Sequence, residues 1–317
     1  MNFLRQKLFM RDTPAALSTS GKPLPLNYKL STFRWHLDSR PPSKAILVHD
    51  LFSSSASWQT LLHGSIGKMP GRGLTPRVPL ELYAVELRGH NYSMSVPFPE
   101  EGSPFALTCA SDVLLLQQQI IRTDAKFIGF GFGALVACHA ALQSPDSGVD
   151  SLVLIVSKAS QLMACDPSEY VLPSIISKIP PGLKTLEEFN DHLRKMVPSE
   201  VERSLIFSLV VQKDGALSFR LDESLLKLRE PLHCFADMGT TGTFKRPVTV
   251  VICGEEEFPK KSKEQFLKHF PKTRFVLFDG DRSAGINGLF TQSEVFGRTL
   301  LDAMELLGDV TTNESEL

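Results

Sequence analysis

The stretch Phe127–Gln143, "FIGFGFGALVACHAALQ", decides the fold. The strand-length run "AKFIGF" (Ala125–Phe130) enters a turn with glycine at 129, 131 and 133, and the small-residue run "GALVACHAALQ" follows. Glycine tolerates backbone conformations and close approaches that a Cβ forbids. Three of them between an apolar run and a helical one predict a strand that turns abruptly into a helix inside a packed sheet.

Flanking segments extend the pattern. "AILVHD" (Ala45–Asp50) and "VDSLVLIVS" are continuous apolar runs of strand length, the kind buried on both faces of a parallel sheet. "KLSTFRWHL" alternates and predicts an early strand, and "LELYAVEL" (Leu80–Leu87) another. "SSSASWQTLL" predicts a helix from near Ala56, and "SPFALTCASDVLLLQQQIIR" places Leu107, Val113, Leu114, Ile120 and Ile121 at helical spacing. Strands alternating with helices predict an α/β architecture with a mostly parallel sheet. From about residue 158 to 243 the rhythm breaks into helical runs, among them "LKTLEEFNDHLRKMV" and "PSEVERSLIFSLVVQ", with "DGALSFRLD" as a short β-like piece. It resumes with "RPVTVVICG", "KSKEQFLKHF", "TRFVLF" and a last helix near "SEVFGRTLLDAMELL". The expected organisation is an N-terminal extension (1–26), a first core part (27–157), an inserted helical lid (158–243), a second core part (244–306) and a polar tail (307–317).

The 317 residues suffice for one large domain with an insertion. A net charge of −1 gives no global signal for nucleic acid or an anionic membrane, and no apolar run approaches the length that spans a bilayer. Five scattered cysteines without a CxxC pair suit a reducing compartment and argue against a zinc knuckle. The opening "MNFLRQKLFMR" carries Arg5, Lys7 and Arg11 before its first acid, Asp12, as a mitochondrial presequence does; an ordinary N-terminal segment fits equally. The connection "HGSIGKMPGRGLTPRVP" (His63–Pro79) is long, and Ile66, Met69 and Leu74 are expected to display apolar groups there to a partner.

Four segments in order carry a family resemblance. "AILVHDLFSSSASWQTLL", "ELRGHNYS" (Glu86–Ser93), "GFGFGA" (Gly129–Ala134) and "DGALSFRLD" resemble the α/β-hydrolase superfamily over about residues 27–306. They look most like the single-domain esterase-like branch that includes a mitochondrial α/β-hydrolase-domain protein and bacterial relatives. The resemblance implies a nucleophile elbow at "GFGFGA", where Gly131 stands at the nucleophile's place. It implies an imidazole in "SAGINGLF", where Ile286 stands instead, and His269 is the last histidine in the chain. By the same resemblance Glu257 in "ICGEEEF" is the acid position, and the backbone N–H groups of Leu51 and Phe132 are the oxyanion donors. The family's His-Gly reads His49-Asp50 here, which brings a carboxylate near those donors.

Glycine has no atom to serve as a nucleophile. The expectation is therefore a pseudoenzyme with no catalytic residues, no cofactor and no metal, acting as a scaffold or subunit of a larger, mitochondrial assembly. The alternatives are a receptor for an apolar or acyl ligand under the lid, and an esterase with relocated chemistry at Ser157 or Ser283. Other motifs read blandly. "GFGFGA" fails GxGxxG at Ala134, His90 has no spaced metal partner, Cys138 falls two turns down the helix, and "HLRK" and "KKSK" are solvated basic faces.

Overall fold

The structure, a computed structural model, describes residues 7–9, 23–33, 39–63, 65–66, 74–99, 104–180, 183–213, 215–229, 231–233, 242–255, 258–283 and 285–307. Three strands open the chain: β1 (Lys7–Phe9), β2 (Tyr28–Phe33) and β3 (Ser43–Val48). Helix α1 (Ser55–His63) leads to β4 (Leu80–Val85), and α2 (Phe105–Leu116) with a π-helical turn leads to β5 (Ala125–Phe130). Helix α3 (Phe132–Gln143) follows at once, then β6 (Val149–Val156).

The chain joining β6 to the next sheet strand holds β7 (Ala164–Cys165), α4 (Val171–Ser177), α5 (Leu186–Met196), α6 (Glu200–Phe207), β8 (Val210–Lys213), β9 (Ala216–Phe219), α7 (Glu223–Leu226) and β10 (Leu232–His233). The core resumes with β11 (Val248–Ile252), α8 (Lys260–His269), β12 (Thr273–Leu277), α9 (Ile286–Thr291) and α10 (Ser293–Ala303).

The main sheet runs β1-β2-β4-β3-β5-β6-β11-β12. Pairs from β4 to β12 are parallel, while β2 lies antiparallel to both β1 and β4. Alternate residues feed two cores, as the period of a strand requires. Ile46 and Val48 face the side packed by Cys109, Val113, Leu135 and Phe266. Ala45 and Leu47 face the side packed by Trp58, Leu61, Phe296 and Leu300. Burial on both faces explains why these strands read as unbroken apolar runs.

Two local expectations are corrected. The run "SLIFSLVVQ" does not stay helical: α6 ends at Phe207, and Val210–Lys213 pairs antiparallel with Ala216–Phe219. The β-branched Val210 and Val211 favour the strand, and Gly215 at φ +75° closes the hairpin. Nor does the connection after α1 display Ile66 and Leu74. They form a parallel bridge with each other and are 2% and 8% exposed, in the core beside Phe296 and Leu300. Apolar side chains among glycines and prolines were available to burial as much as to a partner, and burial won. Residues 67–73, with Met69, lie outside the described residues, as do most of the candidate presequence and Glu257.

Candidate functional site

The turn between β5 and α3 is fixed by close backbone packing. A Cβ on Gly129 would collide with the backbone of Gly133 and Ala134, and one on Gly133 with the carbonyl of Val48. Gly131 takes φ +54° and ψ −117°, a conformation that favours glycine, and its N–H donates to the Ile155 carbonyl at 2.9 Å.

Asp50 follows the end of β3 and turns its side chain into this elbow. Its Oδ1 accepts the Leu51 N–H at 2.8 Å, the Phe132 N–H at 2.6 Å and the Tyr170 hydroxyl at 2.5 Å. The two backbone donors expected from the sequence thus converge on one point, and the carboxylate already occupies it. A Cβ built on Gly131 would lie inside van der Waals contact of the Asp50 carboxylate. The group is 7% exposed, and burial pushes its pKa up to about 6 against the opposing hydrogen bonds from Tyr170, Phe132 and Leu51. Its position at the N-terminus of α3 also favours negative charge.

Behind this loop the segment Glu86–Ser93 forms a buried polar web. His49 Nδ1–H donates to the Asp50 carbonyl at 2.7 Å, and its Nε2 accepts the Leu87 N–H at 3.0 Å. His90 Nδ1–H donates to the Arg88 carbonyl at 2.9 Å, and its Nε2 accepts the Phe52 N–H at 3.3 Å. Burial lowers the pKa of both rings, that of His90 to about 4, so each is held as a neutral tautomer. The 3.8 Å approach of His49 Nε2 to Glu86 is accordingly no ion pair, because that nitrogen carries no proton and accepts the Leu87 N–H hydrogen bond. All four ring nitrogens are spent on backbone groups, which leaves none for a substrate.

Glu86 accepts from the Ser55 hydroxyl, the Ser55 N–H and Asn91 Nδ2, which anchors the start of α1. Arg88 makes a two-pronged pair with Asp112 at 2.9 and 2.7 Å, both side chains essentially excluded from solvent. The "DGALSFRLD" segment docks on the same web. Asn91 N–H donates to the Arg220 carbonyl, Asp222 N–H to the Gly89 carbonyl, and the Arg220 guanidinium lies 5.2 Å from the Tyr92 ring centre.

A cavity of about 360 Å³ opens over Asp50. Its walls include Phe52, Tyr170, Leu172 and Ile206, and its polar rim includes Ser157, Lys158, Glu169 and Glu202. Ser157 reaches it, but its hydroxyl donates to Gln161 Oε1 at 3.1 Å. Ser283 donates to the Asp281 carboxylate at 2.5 Å and is not among the residues that line the cavity. Ile286 begins α9, and its neighbour Asn287 forms part of the cavity wall. Among the described residues that line the cavity there is no histidine.

Cys138 is buried within α3, as its helical position implied. Among the described residues no group of three or more His, Cys, Asp or Glu side chains is placed to hold a metal, and no helix is long and apolar enough to cross a membrane.

Sequence reasoning placed Leu51, Phe132, Gly131 and Asp50 together. It missed Tyr170, which comes from the chain between β6 and β11 and has no motif to mark it. It also missed the Arg88–Asp112 pair. An arginine beside the sheet and an aspartate inside the apolar pattern of α2 were the available signal, since a buried charge needs a partner.

No family model matches the sequence. No curated protein matches it either. Solved structures do resemble the fold. An esterase from a marine microorganism superposes with a TM-score of 0.64 at 15% identity, covering 88% of this chain and 99% of its own. A peroxisomal α/β-hydrolase from Saccharomyces cerevisiae gives a TM-score of 0.64 at 12% identity, covering 100% of this chain and 94% of its own. An esterase from Mycobacterium tuberculosis gives 0.55 at 17% identity, covering 96% and 92%. At these identities the likeness concerns architecture alone, and with the mostly parallel sheet and flanking helices it establishes that this chain has the α/β-hydrolase fold.

Proposed function

We propose that this chain is a catalytically silent α/β-hydrolase fold, a pseudoenzyme that serves as a scaffold or subunit of a larger assembly. One observation carries the reading: the Asp50 carboxylate sits on the Leu51 and Phe132 N–H groups, over a glycine. Acyl transfer needs those donors for the oxyanion of its transition state. A carboxylate there takes the donors and, when ionised, repels the charge that must develop. Gly131 offers no nucleophile, and Ile286, at the place the resemblance gives to the base, offers no imidazole. The residues between β6 and β11 are then a lid with no substrate to admit, free to serve as contact surface, and the basic N-terminal segment directs the protein to mitochondria. No cofactor or metal enters this role.

The purified protein is expected to leave p-nitrophenyl esters unhydrolysed above background and to resist labelling by a fluorophosphonate. Turnover that vanishes on Ser157→Ala, or a labelled serine anywhere in the chain, would instead establish an esterase with relocated chemistry. A tagged pull-down should recover a stoichiometric protein partner. A C-terminal fluorescent fusion should enter mitochondria and lose that address when residues 2–20 are deleted.

A second reading is supported by the cavity of about 360 Å³ that persists over Asp50: a receptor that binds a small molecule without transforming it.

A further inference from the structure

Oδ1 of Asp50 takes three hydrogen bonds, from Leu51, Phe132 and Tyr170. Among the described residues none reaches Oδ2, although the residue is more than nine-tenths buried and lines the cavity. A carboxylate held in this way has one oxygen anchored by three donors and the other with none.

The charges around the cavity do not supply a counterion. Its ionisable rim groups are Lys158, Glu169 and Glu202, with Tyr170 and then Cys165 behind Asp50. Lys158 Nζ already lies 3.8 Å from Glu169 Oε2, both half-exposed at the mouth. No salt bridge among the described residues engages Glu202, whose only side-chain contact of this kind is Asn287 Nδ2 at 3.5 Å. Burial keeps Tyr170 and Cys165 protonated well above neutral pH, so neither offsets nor adds charge. The site thus presents an excess of negative charge, with apolar walls at Phe52, Leu172 and Ile206.

We infer that the cavity is a binding site for a small primary amine with an apolar body, its ammonium seated on Oδ2 of Asp50 and its body against Phe52, Leu172 and Ile206. An ammonium supplies the missing donors and the missing positive charge together. A carboxylate ligand would meet Asp50 and Glu202 as like charges. An uncharged ligand would leave the carboxylate uncompensated. This assignment rests on the receptor reading of the cavity, and the test separates the two.

The experiment is titration calorimetry of the full chain with hexylamine, hexanol and hexanoate, which share a body and differ in charge. At about pH 8 hexylamine should bind at least about tenfold more tightly than the other two, the scale of a charge-assisted hydrogen bond. Ionised Asp50 is the form that binds, and its carboxyl titrates near 6, so affinity is present above that value. It should fall about tenfold by about pH 5 as the carboxyl takes a proton. Asp50→Asn should erase the preference for the amine. If that variant does not fold, the pH profile of the unaltered protein decides alone, and a flat profile overturns the assignment. Hexanol or hexanoate binding as tightly as hexylamine leaves a ligand cavity but removes the amine. Binding by none of the three removes both.

Discussion

The carboxylate of Asp50 fills the space into which any side chain on Gly131 would project. The two positions are coupled by contact, so neither can be changed as though the other were absent. Gly131→Ser should destabilise the fold by roughly 2–4 kcal/mol, from overpacking and from a side chain at positive φ. Asp50→Gly should make room and recover the overpacking part of that loss in the double variant. A double-mutant cycle by urea denaturation would show the coupling, and strict additivity would contradict it.

Asp50 also predicts how stability varies with pH. Its pKa is raised from 3.8 to about 6 on folding, so its contribution favours the folded state below about pH 4 and is lost as the pH rises through about 6. Asp50→Asn keeps a neutral acceptor on the same donors. It should therefore stabilise the protein at about pH 8, by up to about 3 kcal/mol, and do little at about pH 4. Denaturation curves at the two values test this, and an equal effect at both would place the titration elsewhere.

Arg88 and Asp112 are paired where neither meets water. Removing one partner leaves the other charge stranded. Arg88→Met should cost about 3–5 kcal/mol, whereas replacing both by apolar residues of similar volume should cost far less. Asp112 also accepts the Leu24 N–H at 2.6 Å, so Asp112→Leu should in addition raise amide exchange at Leu24.

Ile66 and Leu74 bound a connection that reads as exposed but lie in the core. Ile66→Ala and Leu74→Ala should each cost about 2–4 kcal/mol in thermal or chemical denaturation. Costs below about 0.5 kcal/mol, the range of ordinary surface sites, would return the two residues to the surface.

The alternation of strands and helices was legible because each central strand is buried on both faces, and such strands leave unbroken apolar runs. The elbow was legible because Gly129 and Gly133 are demanded by backbone contacts that no other residue allows. The donors Leu51 and Phe132 followed from where the elbow stands. The direction of the Asp50 side chain was not legible. A carboxylate can point to water or into a site with the same neighbours in sequence, and the choice here depends on Tyr170, 120 residues away. Burial of Ile66 and Leu74 was hidden for a similar reason: their partners on α10 are distant along the chain. The helix-to-hairpin change after Phe207 turned on pairing with Ala216–Phe219, which local periodicity does not record.

The strand order carries a consequence for the birth of the protein. β3 is flanked by β4 and β5, both of which follow it in the chain, so its second hydrogen-bonding edge stays open until β5 has been made, and part of the packing on its faces, from α3 and α10, comes later still. During synthesis Ala45–Val48 keeps one adhesive edge open for as long as the ribosome takes to reach Phe130. Parallel pairing across such separations is slow, and exposed strands aggregate while they wait. Nascent chains arrested before β5 should therefore depend on chaperones to remain in solution, and those arrested after β6 should depend on them less.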